Sequence, residues 1–296
     1  MEATLSERTF NQLRTIIRER TGIRFRDNKR YLLESRVRPR LVARQMPDYE
    51  TYVRALQNGD TAEVRHLVNA VTINETSFFR NPTQFEALEQ EVLPTLIGLR
   101  RRDGSRTVRL WSAACSTGEE AYTLAILVKE RLQPRFPQIR FEIIATDIDT
   151  EVLGRARRGR YRTRAIRNMP TAYLHKYFRR SDDSYVLEPS IRETVAFQQL
   201  NLVDRSAVRR MQDVDLVLCA NVLIYFNDAQ KQEVLQSLHR SLRPGGYLFV
   251  GGSETLGGTS VPFVPERVAG ALVYRRPPAP TPASSSSRSA LGSPPL

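Results

Sequence analysis

Apolar residues recur at helical spacing through roughly the first seventy positions, and from Val108 they give way to continuous apolar runs separated by amphipathic stretches. The first region reads LSERTFNQLRTIIRERTG with a stop at Gly22, then NKRYLLESRVRPRLVARQ, DYETYVRALQNG and TAEVRHLVNAVTI. Apolar positions three and four apart predict an all-α domain over residues 1–75. Beyond it, VRLWSAA, RFEIIATD, VDLVLCANVLIYF, GYLFVGGSE and ALVYRR read as strands, with helical patterns at 119–132, TEVLGRARRG and DAQKQEVLQSLHRSL between them. Uninterrupted apolar strands alternating with amphipathic helices predict a mostly parallel sheet covered on both faces, an α/β domain over residues 76–276. The pattern breaks at 173–200, where YFRRSDDSYVLEPSIRETVAFQQL offers short β-type runs around a polar turn, so a small antiparallel β insertion is expected there. From Pro277 the chain turns Pro-, Ser- and Ala-rich, and residues 277–296 are expected to be a disordered tail.

A chain of 296 residues with 41% hydrophobic content can bury a sizeable core. It has no apolar run of membrane-spanning length, and MEATLSERTFNQL lacks the basic-then-apolar order of a signal peptide. The expected location is the cytoplasm. Cys115 and Cys219 both fall in strand-like segments with no CxxC and no histidine at ligand spacing, so they read as core residues and no metal site is expected. His66, His175 and His239 are scattered and read as packing or surface residues.

Charge changes the picture more. The formal net charge is +13, and between Arg18 and Arg44 ten basic residues face three acidic ones, which concentrates over half of the excess in the second helix and its approach. A basic segment of this kind suits nucleic acid, anionic lipid or an acidic protein surface.

The candidate chemistry begins at WSAACSTGEEAYTLA, residues 111–125. A strand runs through a small-residue turn with one glycine, Gly118, into a helix, as in nucleotide-binding loops. Neither G-x-G-x-x-G nor G-x-x-x-x-G-K-[ST] is present, and Glu119 and Glu120 stand where a phosphate would want bare amides or a lysine. In a doubly wound sheet the ligand lies beyond the carboxyl ends of the strands, and an acid ending the second strand is placed for ribose hydroxyls, which fits Asp147. A ligand with ribose and adenine, a positive centre and no phosphate meets these conditions, and S-adenosylmethionine is such a ligand. The competing reading is that the two glutamates only complement the positive end of a helix. NETSFFRN, residues 74–81, lies where the helical domain hands over to the α/β domain. There Phe78 and Phe79 would pack, and Arg80 is either a surface arginine or a clamp for a carboxylate of the ligand or substrate.

NETSFFR, WSAACSTGEEAY, ATDIDTEVLGRARRGRY, NLVD and NVLIYF together, over roughly residues 5–275, closely resemble the CheR family of chemotaxis receptor methyltransferases. The resemblance implies a Rossmann-like class I S-adenosylmethionine-dependent methyltransferase domain behind an all-α docking domain. It implies O-methylation of chemoreceptor glutamates, with S-adenosylhomocysteine as the second product. Matched position by position, it implies cofactor contacts from Asn74, Thr76, Arg80, Glu120, Asp147, Asn201, Leu202, Ala220 and Asn221, with Tyr225 beside the reacting centre and Arg80 and Tyr225 as the catalytic pair. A carboxylate is already ionised at neutral pH and attacks a sulfonium methyl without a general base, which suits a chain with no histidine or cysteine constellation. The resemblance also implies that the basic helical domain meets the receptor's cytoplasmic helices, with Arg36 and Arg40 as leading contacts.

Two departures stand out. Pro39 in RVRPRLV replaces what is more often an arginine and is expected to end or kink its helix. The turn RRSDDSY is shorter than in those members of the resembled family that dock on a receptor's C-terminal pentapeptide through this subdomain, so the resemblance implies recognition without that tether. A monomer suffices. The alternatives are a cofactor-binding adaptor without catalysis, which the loop, the acid and Arg80 argue against, and a nucleic-acid methyltransferase. The latter would want [DN]-P-P-[YF] or a Pro-Cys nucleophile where this chain has ANVLIYF.

Overall fold

The computed structural model describes residues 4–278. Four helices come first: α1 (Glu7–Thr21), α2 (Arg30–Ala43), α3 (Tyr49–Gln57) and α4 (Thr61–Val71). Ser6, Asp48 and Asp60 cap α1, α3 and α4 by accepting backbone N–H groups from Thr9, Thr51 and Glu63, which fixes the starts that the sequence signals. Their apolar faces close a core of their own around Phe10, Leu13, Ile17, Leu33, Val37, Tyr52 and Leu67.

Pro39 does not end α2, which runs through it to Ala43. The reason lies in its facing. Pro39 and Ser35, whose carbonyl loses its helical partner, are both exposed, so water can take over the missing bond. Leu33, Val37 and Leu41 stay buried on the opposite face and hold the helix in place.

A second helical stretch follows, α5 (Pro82–Ala87), a π turn at Leu88–Val92 and α6 (Leu93–Arg102). Next come β1 (Thr107–Ala113), α7 (Glu119–Leu127), β2 (Arg140–Asp147) and α8 (Thr150–Arg158). The insertion comprises β3 (Arg160–Arg162), α9 (Thr171–Tyr177), β4 (Phe178–Ser181), β5 (Ser184–Leu187) and α10 (Pro189–Arg192). The chain closes with β6 (Val195–Gln199), α11 (Arg205–Val208), β7 (Val214–Cys219), α12 (Asp228–Ser241), β8 (Leu242–Val250), β9 (Val264–Val268) and β10 (Ala271–Arg275).

The main sheet has the order β6-β2-β1-β7-β8-β10-β9, parallel from β6 to β8, with β10 antiparallel to both its neighbours. Two apolar clusters cover its faces, one around Leu110, Tyr122, Leu124 and Phe249, the other around Trp111, Val217, Leu235 and Leu248. The expected insertion needs a correction at both ends. Its three-stranded sheet, β3-β5-β4, begins at Arg160, and residues 195–199 leave it to pair with β2 in the main sheet. All but the first two residues of the expected tail lie outside the described residues. No helix among the described residues is long and apolar enough to cross a membrane.

Strand order reverses between β1 and β7, so a crevice opens at their carboxyl ends. The helical domain lies over that crevice. The Asn69 side chain donates to the Thr150 hydroxyl at 3.1 Å and accepts the Thr150 backbone N–H at 3.2 Å, Asn201 donates to the Arg20 carbonyl at 2.8 Å, and the Arg24 N–H donates to the Tyr225 carbonyl at 3.1 Å.

Candidate active site

The crevice is one cleft into which all nine expected cofactor residues and Tyr225 face. The helical domain contributes Thr21 and Ile23, and the connecting segment contributes residues 72–77.

The turn after β1 is tight. Ala114, Ser116 and Gly118 have φ of 64°, 51° and 91°, alternate left-handed positions of which only Gly118 is free of strain. Hydrogen bonds hold it: the Ser116 N–H donates to Asp147 Oδ2 at 2.8 Å, and the Ser116 hydroxyl donates to the Asn74 carbonyl at 3.1 Å. Asp147 also accepts the Asp149 N–H on Oδ1 at 2.9 Å. Burial pushes its carboxyl up to about 6, against those amides, which favour the ionised form. A carboxylate held in this way keeps lone pairs for two hydroxyl donors.

Glu120 heads α7 and lines the cleft, with Oε1 accepting the Ser112 hydroxyl at 2.7 Å. Burial raises its carboxyl to about 7, with Ser112 and the nearby Arg80 pulling the other way. Glu119 turns away from the cleft, takes the Thr117 hydroxyl at 2.7 Å and is likewise pushed up to about 7 by burial. The two glutamates therefore have different surroundings, and only Glu120 faces a ligand.

Residues 72–80 are pinned from several sides. Asp149 caps α8 through Oδ1, while its Oδ2 accepts the Thr72 hydroxyl at 2.7 Å and the Asn74 side-chain amide at 2.8 Å. Phe78 packs edge-on against Tyr161 and Phe178, with centroids 4.8 and 5.2 Å apart, so it anchors the segment in the small β unit. The Phe79 N–H donates to the Thr123 hydroxyl at 3.1 Å, and Arg80 donates to the Glu75 carbonyl at 2.7 Å. This tether turns the Arg80 guanidinium into the cleft, close enough to act electrostatically on both Glu120 and Tyr225.

Tyr225 ends a short 3₁₀ turn, Leu223–Tyr225. Burial raises its phenol, and Arg80 and Arg36 draw it back down. Its hydroxyl makes no hydrogen bond to the described residues.

Neither docking candidate lines the cleft. Arg36 donates through Nη1 to the carbonyls of Val71 at 2.6 Å and Thr72 at 3.0 Å and lies near Tyr225, so it borders the mouth. Arg40 is committed within the chain. Its Nε and Nη2 bind both oxygens of Glu63 at 2.9 and 2.8 Å, and Tyr52 completes the cluster by donating to Oε1 at 2.8 Å. The charge of Arg40 was legible in the sequence, but its partner was not.

Sequence reasoning also missed Glu254, which braces the segment after β7, and Gln84, whose amide donates to the Val250 carbonyl at 2.7 Å from the cleft wall. An acid in GGSE, directly beyond a strand's carboxyl end, was the available signal for Glu254.

The donor set fits a cationic nucleoside. It offers a buried acid, Asp147, at the carboxyl end of β2, a second acid, Glu120, at the head of α7, apolar walls from Leu88, Leu202, Leu218 and Phe249 and, among the described residues, no lysine. In the same wall the buried Ser77 hydroxyl lacks a hydrogen-bond partner among the described residues, a polar atom that a ligand would satisfy.

Residues 8–72 match the family described as "CheR methyltransferase, all-alpha domain", and residues 74–267 match "CheR methyltransferase, SAM binding domain". The chain is 37% identical to chemotaxis protein methyltransferase 2 of Vibrio cholerae over 93% of its length and 95% of the relative's. It is 34% identical to chemotaxis protein methyltransferase 1 of Pseudomonas aeruginosa over 90% and 97% of the two lengths. It is also 34% identical to the chemotaxis protein methyltransferase of Salmonella typhimurium, over 84% of each. Two domain matches in the order of the two structural units, together with relatives covered almost end to end, make this chain a member of the CheR family of S-adenosylmethionine-dependent chemotaxis methyltransferases.

Proposed function

We propose that the chain methylates glutamate side-chain carboxylates on the cytoplasmic helices of chemoreceptors, giving glutamyl methyl esters and S-adenosylhomocysteine. When bound, S-adenosylmethionine supplies a methyl group activated by its sulfonium. Asp147 would hold the ribose hydroxyls and Glu120 the ammonium of the methionine portion, with Asn74, Thr76, Asn201, Leu202, Ala220 and Asn221 shaping the remaining wall.

The observation that carries the reading is Arg80, tethered to the Glu75 carbonyl and within electrostatic reach of both Glu120 and Tyr225. A fixed cation there draws in a carboxylate acceptor, which needs no deprotonation, and among the described residues no histidine lines the cleft to act as a base. Tyr225 orients the acceptor from the other side. Arg36 keeps Nε and Nη2 free of bonds to the described residues and is the docking contact we favour. Arg40 would serve docking only indirectly, by fastening α2 to Glu63 of α4.

The basic α2 suits acidic receptor helices in the cytoplasm. The β4–β5 hairpin turns through only Asp182 and Asp183, which supports recognition without a C-terminal pentapeptide. A monomer is sufficient for this chemistry.

The deciding experiment is transfer of radiolabelled methyl to receptor-containing membranes, followed by alkaline release of volatile methanol. Base-labile label that disappears in Arg80→Ala supports a carboxyl methyl ester. Cofactor binding without base-labile label on any receptor overturns the reading.

A further inference from the structure

Glu254 lies in the loop after β8, outside the cleft, and its residue is only 5% exposed. Its carboxylate has no basic side chain as a partner among the described residues. Instead it accepts three backbone amides: Oε2 takes the N–H of Asn221 at 2.6 Å and of Gly251 at 2.7 Å, and Oε1 takes that of Ile224 at 3.2 Å. A buried charge persists only where its oxygens are filled in this way.

Two of the three amides belong to the segment that carries Asn221 and Tyr225 into the cleft. That segment has no regular structure beyond one 3₁₀ turn, and Asn221 sits at φ 61°, a conformation that its surroundings must hold. A Cβ at Gly251 would lie 2.8 Å from Glu254 Oε2 and 2.9 Å from Asn221 Oδ1, so the loops after β7 and β8 close on this carboxylate only with glycine there.

We propose that Glu254 is a positioning residue that clamps residues 220–226, so that Asn221 and Tyr225 keep one geometry for methyl transfer. It touches neither ligand, and it acts through the three amides. Its consequence for turnover rests on the receptor-glutamate reading, whereas its hold on the segment does not.

The test uses the full chain with Glu254→Gln and Glu254→Ala. In the glutamine variant the amide oxygen can still take Asn221 and Gly251, but the NH₂ then faces the Ile224 N–H, donor against donor. Hydrogen exchange of peptides spanning 220–226 is expected to quicken by about tenfold in Glu254→Gln while α12 and β1 exchange as in the unaltered protein. S-adenosylhomocysteine affinity by calorimetry is expected to stay within about threefold, and kcat on receptor membranes to fall by roughly tenfold or more at unchanged KM.

Unchanged exchange at 220–226 would overturn the proposal, as would an equal loss of cofactor affinity and turnover. If Glu254→Ala fails to fold, the glutamine variant carries the test alone. If the unaltered protein methylates no receptor, the functional reading falls, and the exchange measurement still decides the role of Glu254.

Discussion

The side-chain amide of Asn74 donates to Asp149 Oδ2 at 2.8 Å, fastening the segment that joins the two domains to the turn that follows β2 and its terminal Asp147. One carboxylate therefore caps α8 and sets the near wall of the cleft. Asn74→Ala leaves Asp149 its cap and the Thr72 hydroxyl but frees the wall. S-adenosylhomocysteine affinity is expected to drop by about tenfold, the equivalent of one charge-assisted hydrogen bond, with little change in melting temperature. Calorimetry alongside thermal unfolding checks both halves.

Removing Arg80 takes away the cation of the site and nothing of the fold, since among the described residues its one hydrogen bond is to the Glu75 carbonyl. Arg80→Ala is expected to lower methyl transfer by about a hundredfold, the scale of losing one oriented charge in a cleft. Circular dichroism should remain that of the unaltered protein. An activity loss of less than threefold would remove Arg80 from the mechanism.

Burial pushes the carboxyls of Glu120 and Asp147 up to about 7 and about 6, and with both holding the cofactor as proposed, its binding is expected to depend on pH. Below pH 6 both take up protons and the cleft loses the charge that attracts a cation. Affinity for S-adenosylhomocysteine, whose ammonium remains charged, is therefore expected to rise by about tenfold from pH 5.5 to 7.5. Empty protein should behave in the opposite sense. Carboxyls with raised values favour folding below their unfolded range near 4 and lose that contribution as pH climbs through 6 and 7. Titration calorimetry and urea unfolding at three pH values would reveal the crossing trends, and Glu120→Gln should flatten both.

Arg40 and Glu63 offer a separate check on the helical domain. The Glu63 side chain is 1% exposed, and Arg40→Ala takes away its two-pronged partner while leaving it the Tyr52 hydroxyl and the more distant Arg44 Nε at 3.7 Å, so the variant is expected to cost about 2 kcal/mol. Replacing both by apolar residues of similar volume should recover most of it. Equal losses in the single and double variants would mean that packing, and not the stranded charge, sets the cost.

Gly22 closes α1 with φ 77°, and a Cβ there would lie 2.8 Å from both Phe226 and Val203. Gly22→Ala should therefore push the helical domain off the cleft, costing about 2 kcal/mol and weakening cofactor binding in the same variant. Denaturant unfolding and calorimetry on one sample measure the two effects together.

The helices and the main strands were legible because their apolar spacing is local. What the sequence hid was pairing at a distance. TVAFQQ reads as one more short run of the insertion, since nothing in it announces that β2, some fifty residues earlier, is its neighbour. Arg40 looked like a free charge for the same reason, with Glu63 twenty-three residues away. Pro39 does not end its helix for another reason. The rule for proline is written for a backbone carbonyl that must be paired within the helix, and Ser35 is exposed to water. At the site, motifs disclosed the residues that face the cleft, while Glu254, which works from behind, left only an acid after a strand.

Thr21 and Ile23 share the cleft with residues from the α/β domain, so any partner gripping the helical domain holds one lip of the container proposed for the cofactor. Thermodynamic reciprocity then leaves no choice. If docking on α2 shifts that lip and tightens the cleft by some factor, filling the cleft must strengthen docking by the same factor. A chain built in this way would report its methyl supply to its partner before any methyl moves.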